Sequence, residues 1–244
     1  MATRDQAAAQ EIVVPDAMLP LQVTGMQAMA SKMWMPFIGM GFMIVVAALI
    51  IGVIVSVTAA DYFSFSKLTR EAATTGSDLA AEKAFIESTK AWLPTFKFLG
   101  VGMIVGGVTF LLATILGALR VGGARVQQAL GETVRMPKPP ITAQMFPMFM
   151  MMGIMVLMAA LIIGIVLAVI SFGYWNHSIA TELNPAVEGS QLLNTLSTIN
   201  SIKMWLAPLK FVGMASLFVG VGMALATIVG ALRWQSNRLW DMLS

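Results

Sequence analysis

Ala113-Thr114-Ile115-Leu116-Gly117-Ala118-Leu119-Arg120 returns, with one substitution, as Ala226-Thr227-Ile228-Val229-Gly230-Ala231-Leu232-Arg233. Each copy closes an uncharged run, residues 98–119 and residues 211–232. A lysine precedes each run (Lys97, Lys210) and an arginine follows it (Arg120, Arg233). About 20 apolar residues of helix cross the hydrocarbon core of a bilayer, so both runs read as transmembrane helices. The cations read as anchors at the headgroup level.

Composition points the same way: of 244 residues, 58% are hydrophobic and only 11% charged. That balance belongs to a polytopic membrane protein. The absence of cysteine excludes disulfides, zinc–thiolate sites, iron–sulfur clusters and thiol catalysis. One histidine excludes a bis-histidine haem or a multi-histidine metal site built by a single chain. The net charge of +3 gathers into no basic face. It records orientation and anionic headgroups rather than nucleic acid, which is not an expected partner.

Two more crossings complete the set. Residues 33–60 carry no charge before Asp61, and a crossing is expected over about 36–58, with Pro36 in its opening turn. A third is expected over about 148–172, with Tyr174 and Trp175 at its edge as an aromatic belt. Two amphipathic stretches predict short interfacial helices. One contains Val23, Met26, Ala30, Met33 and Trp34, and the other Leu192, Leu193, Leu196, Ile199 and Ile202. Ser77-Asp78 reads as a helix start, Pro94 as a break before the second crossing, and Asn184-Pro185 as a turn. The N-terminal stretch lacks a basic segment followed by an apolar core, so a cleavable signal peptide is not expected.

The fold class that follows is an all-α integral membrane protein with four transmembrane helices and short interfacial helices. Residues 1–35 form the lead, 36–120 a first two-helix unit, 121–145 a basic linker containing Pro137, Pro139 and Pro140, 146–233 a second two-helix unit, and 234–244 a tail. The two units overlay. Ala47-Ala48-Leu49-Ile50-Ile51-Gly52 recurs as Ala159-Ala160-Leu161-Ile162-Ile163-Gly164. Lys90, Trp92, Lys97, Phe98, Gly100 and Gly107 match Lys203, Trp205, Lys210, Phe211, Gly213 and Gly220. Apolar composition alone does not align lysine, tryptophan and arginine together. A duplicated unit that crosses twice keeps its orientation, so the repeat is parallel, about an axis along the membrane normal. Lysine and arginine are about equally numerous on the two sides, but Arg120, Arg125, Arg135 and Lys138 crowd the short middle loop. The positive-inside rule then places both termini in the cytoplasm, with a bacterial inner membrane as the expected location.

Each crossing holds a small residue four places before a glycine: Ala48/Gly52, Ala113/Gly117, Ala160/Gly164 and Ala226/Gly230. The second and fourth add Gly100, Gly107, Thr114 and Gly213, Gly220, Thr227, stepping by seven. Such residues share a flank and let backbones approach, which is how helices associate in lipid. Fourteen positions are thus expected as helix-packing sites. Trp92, Lys97, Arg120, Tyr174, Trp175, Trp205, Lys210 and Arg233 are expected as membrane anchors.

No chemistry stands out. Met145, Met148, Met150, Met151, Met152, Met155 and Met158 open the third crossing, and thioethers bind Cu(I). They cover every face of the helix, though, and methionine is an ordinary apolar filler. His177 reads as an interfacial hydrogen-bonding group. Gly122-Gly123 and Gly100-Val101-Gly102 follow no strand and lack a P-loop lysine, so nucleotide binding is unsupported. No crossing contains Asp, Glu, Lys, Arg or His between its anchors, whereas pumps and charged-solute carriers place ionisable groups there. The expectation is a non-catalytic accessory subunit without cofactor or metal, packing against other membrane subunits and lipids in an oligomer or hetero-complex. The alternative is a channel or carrier for a small neutral or apolar solute.

Overall fold

The computed structural model describes residues 11–13, 25–178 and 190–243. A short strand β1 (Glu11–Val13) is followed by helices α1 (Gly25–Ser64), α2 (Lys67–Glu71) and α3 (Asp78–Ala129). Strand β2 (Arg135–Pro137) and helices α4 (Ile141–Trp175) and α5 (Gln191–Leu243) complete the order. Four of the helices are long and apolar enough to cross a membrane.

The ends of the helices follow from local chemistry. Ser77 caps α3, accepting from the Ala80 amide at 3.4 Å, with Asp78 in the first turn where the helix dipole favours an acid. Ser66 and Ser190 cap α2 and α5 in the same way. At the far end of α3, Gly131 takes a positive φ of 71°. Its amide donates to the Gln128 carbonyl and that of Glu132 to the Gln127 carbonyl, a Schellman ending that needs glycine there.

The structure departs from the sequence reading at Pro36 and Pro94. Pro36, Pro94, Pro147 and Pro208 all lie inside helices. Pro94 does not break the chain before the second crossing: α3 is continuous from Asp78 to Ala129. A proline removes one backbone hydrogen bond, and in apolar helices packed against neighbours the turns on either side hold the axis. For the same reason residues 191–205 are not a separate helix but the opening of α5, and residues 25–35 continue into α1. Residues 21–24, including Val23, and the Asn184-Pro185 turn lie outside the described residues. Helix also extends into the expected linker as far as Ala129, and through the expected tail to Leu243.

The chain divides into two compact units. The first comprises Met1–Gly39, Ile104–Met152 and Ser216–Ser244. In it β1 pairs antiparallel with β2, Ile12 opposite Met136, and the Gln127 side chain clamps β2 to the end of α3. That amide group donates to the Arg135 carbonyl at 3.0 Å and accepts from the Arg135 amide at 2.7 Å. Ala124, Val134 and Met136 close over the junction.

The second unit comprises Met40–Met103 and Gly153–Ala215. Its core gathers Ala91, Ala160, Leu167, Tyr174, Ile199 and Leu206. The loop before α3 docks on the end of α4: the Gly76 amide donates to the Asn176 carbonyl, and the Ser178 amide to the Thr75 hydroxyl at 3.0 Å.

Candidate functional site

The positions that sequence singled out are helix faces, and within each unit the structure shows what these faces touch. In the first unit, a methyl group placed on Gly107 would lie 2.5 Å from Ile38 Cγ1 and 3.0 Å from the Trp34 carbonyl oxygen. One placed on Gly220 would lie 3.3 Å from the Phe146 carbonyl oxygen and 3.5 Å from the Met150 amide nitrogen. In the second unit, Gly100 faces the Gly41 carbonyl and Val45, and Gly213 faces the Gly153 carbonyl and Leu157. Trp34, Ile38, Gly41 and Val45 align with Phe146, Met150, Gly153 and Leu157 at one constant spacing. The same backbone approach is therefore made twice, by matching residues.

Gly164 lies against Trp92 and Ala91 of α3, with the Thr95 hydroxyl 3.4 Å from its missing Cβ. Ala48 and Ala160 are fully buried, Gly117 is buried, and Ala113 and Thr114 are half-buried. Gly52 and Gly230 meet nothing within 4 Å at the Cβ position, and Ala226 is exposed. These three face away from the rest of the chain.

The anchors separate in the same way. Lys97, Trp205 and Arg233 are exposed, and Trp92 and Arg120 are half-buried. Lys210 lies over the Phe98 ring at 5.7 Å. Tyr174 is 5% exposed and belongs to the core of its unit, with Trp175 edge-on to it at 4.9 Å. Lys83 Nζ sits 4.3 Å over the Trp175 ring, a cation–π contact between the first turns of α3 and the end of α4.

Hydroxyls on the helices mostly bond to their own backbone. Thr109 donates to the Val105 carbonyl and Thr114 to the Phe110 carbonyl, each at 3.0 Å. Thr227 donates to the Met223 carbonyl, leaving Thr142 to donate across to it at 2.9 Å. Thr95 and Ser171 are fully buried, and their hydroxyl oxygens have no partner. His177 Nδ1 lies 2.9 Å from the Gly173 carbonyl oxygen, closing the end of α4. The methionines do not converge: Met150 packs against Gly220, while Met148 and Met155 are exposed. Among the described residues, no three His, Asp or Glu side chains gather as a metal site, and no buried polar side chain is charged.

Sequence reading passed over one group. Gln235 Nε2 donates to the Leu119 carbonyl at 2.7 Å, crossing Gly123 so closely that a Cβ there would lie 2.5 Å from it. Beside it Arg238 Nη2 stands 3.8 Å from Glu132 Oε2. These residues follow the apolar runs, where loop and tail were expected. The available signal was the helical register continuing through Leu119, Val126 and Gln127.

Comparison with protein-family models, curated proteins and solved structures finds no match. The four long apolar helices define the class, an integral membrane protein.

Proposed function

We propose that this chain is a non-catalytic four-helix membrane subunit. It packs against other integral membrane proteins and stabilises or assembles a larger complex of the respiratory, photosynthetic or oxidase kind. The observation that carries this reading is the surface of α1. Only 11% of its most apolar window is buried, and Met40, Phe42, Met43, Leu49, Ile50, Val53, Ile54 and Val57 are all exposed. Among these large side chains the missing Cβ atoms of Gly39 and Gly52 leave open hollows, as do those of Gly222 and Gly230 on α5. Gaps between bulky side chains are what the ridge of a neighbouring helix fills, and small residues are enriched where membrane helices meet.

The fold within this reading is a tandem parallel repeat of helical hairpins, α1 with α3 and α4 with α5. The recurring approach of Gly100, Gly107, Gly213 and Gly220 to matching backbone positions supports it. Both termini then lie on the side of the crowded basic middle loop, the cytoplasmic side of a bacterial inner membrane. The lack of ionisable groups inside the crossings supports a role in shape rather than in charge movement.

Extraction in a mild detergent followed by native electrophoresis and mass spectrometry of co-eluting proteins tests the reading. Migration in a complex with other membrane proteins is expected, and a lone 26.1 kDa species would refute it. Proteoliposomes containing this chain alone are expected to be impermeable to small neutral solutes.

A further inference from the structure

The two hairpins differ in what covers them. In the second unit, Ser88, Ala91, Thr95 and Gly102 lie along one face of α3, and all four are buried. Helix α4 closes over this face at Gly164, whose missing Cβ lies 3.4 Å from Thr95 Oγ1, 3.4 Å from Trp92 Cα and 3.6 Å from the Ala91 carbonyl oxygen. In the overlay of the two hairpins, Gly164 corresponds to Gly52 of α1, and the buried α3 face to Ser201, Met204, Pro208 and Ala215 of α5. These four are all exposed, Met204 at 82%, and so is Trp205, the match of Trp92. Gly52 meets nothing within 4 Å of its Cβ position. A seam made once inside the chain is thus left, at the matching residues, as two open halves, one on α1 and one on α5.

We propose that a second copy of this chain completes the seam, its α5 face at Met204 and Pro208 seated on α1 at Gly52. In lipid an exposed apolar face needs no partner, because lipid tails are as apolar as leucine. What sets these two faces apart is that their counterparts already pair: the matching glycine of α4 and the matching tryptophan of α3 are in contact. Depth agrees as well. Gly100 and Gly213 meet their own hairpin partners at matching residues, so parallel hairpins hold Gly52 and Trp205 at the levels of Gly164 and Trp92. Two copies in one membrane plane then meet without a shift along its normal. Met204 stands where the first hairpin has Ala91, and its unbranched side chain fills the hollow that Gly52 leaves, a knob in a gap. The contact runs head to tail, each copy offering both halves, and it generates a ring in the membrane plane when the rotation closes. The proposal narrows the reading above, on which it rests at one place: of the neighbours that cover α1, the one at Gly52 is a copy of this chain.

The absence of cysteine makes the contact testable in the membrane itself. Two differently tagged full-length chains, one carrying Gly52→Cys and the other Met204→Cys, are co-expressed, and their membranes are oxidised with copper phenanthroline. A disulfide-linked species bearing both tags is expected. It should be several-fold more abundant than with Ile50→Cys in place of Gly52→Cys, since Ile50 is exposed on another side of α1. Purified wild type in mild detergent should show multiples of 26.1 kDa by native mass spectrometry. Gly52→Leu, which fills the hollow, should return the single chain with an unchanged helical circular-dichroism spectrum. Absence of the two-tag species, a yield equal to that of the Ile50→Cys control, or links between Gly52→Cys chains alone would overturn the proposal. Should Gly52→Leu fail to fold, the cysteine pair decides. Foreign membrane proteins co-eluting with a chain that forms no two-tag link would refute the second copy and leave the accessory-subunit reading standing. A two-tag link in a complex that contains no foreign protein would do the reverse.

Discussion

Replacing single glycines by alanine should sort them by what faces each one, although all are glycines in apolar helix. At Gly107 the added methyl would lie 2.5 Å from Ile38 Cγ1, a side-chain atom that can yield. It would also lie 3.0 Å from the Trp34 carbonyl oxygen and 3.1 Å from the Ile38 amide nitrogen, backbone atoms that cannot yield alone. Relief requires α1 and α3 to part by a few tenths of an ångström along this seam. Overpacking of this kind costs about 1–3 kcal/mol. Alanine recovers up to about 1 kcal/mol of intrinsic helix preference. The net loss expected for Gly107→Ala is about 1–2 kcal/mol, roughly a five- to thirtyfold fall in the folding constant. Gly52→Ala and Gly230→Ala meet nothing within 4 Å, so only the helix preference remains and stability should hold or rise by up to about 1 kcal/mol. Gly220→Ala, at 3.3 Å from a carbonyl oxygen, and Gly213→Ala, at 2.9 Å from Cγ of the buried Leu157 side chain, fall between. Equilibrium unfolding in mixed micelles, followed by tryptophan fluorescence, reads the series. If Gly107→Ala is as stable as Gly52→Ala, these helices do not meet as described.

Three further changes probe polar groups. Gln127→Leu removes both hydrogen bonds to the Arg135 backbone and should cost about 1–3 kcal/mol, with faster amide exchange at residues 131–140; unchanged exchange there would refute the clamp. A double-mutant cycle on Thr142→Val and Thr227→Val should give a coupling of about 0.6 kcal/mol, the usual worth of a hydrogen bond between membrane helices, and zero coupling would deny the contact. Thr95→Val replaces a buried hydroxyl that has no partner with a group of the same shape, so the melting temperature should hold or rise, and a clear fall would show that the hydroxyl is used.

Sequence alone located the four apolar helices and the flanks of α3 and α5 that approach a neighbour. Gly100, Gly107, Gly213 and Gly220 were legible because a step of seven keeps small residues on one side of a helix, and only close approach favours small residues there. The same logic named Gly52, Ala226 and Gly230, which face away from the chain. Periodicity identifies a face but not its occupant. The length of α3 was misjudged because Pro94 was weighed as a breaker, whereas it lies within a long apolar helix whose neighbouring turns persist. Tyr174 was read as a belt residue from its place at the end of an apolar run, yet it turns inward on to Leu167 and Ile199. The hydrogen bond from Gln235 to Leu119 joins two distant segments, and no local pattern announces that they meet.

The central claim is that two helical hairpins of the same orientation lie in the bilayer, and the chain's lack of cysteine makes it directly measurable. Single cysteines at Thr74, Thr133, Ser197 and Asn237, all exposed positions, are labelled in sealed inverted and right-side-out vesicles with a membrane-impermeant maleimide. The account predicts that Thr133→Cys and Asn237→Cys label from the cytoplasmic face, and Thr74→Cys and Ser197→Cys from the opposite face. Labelling of Thr74→Cys and Thr133→Cys from the same face, or of Thr74→Cys and Ser197→Cys from opposite faces, would contradict it.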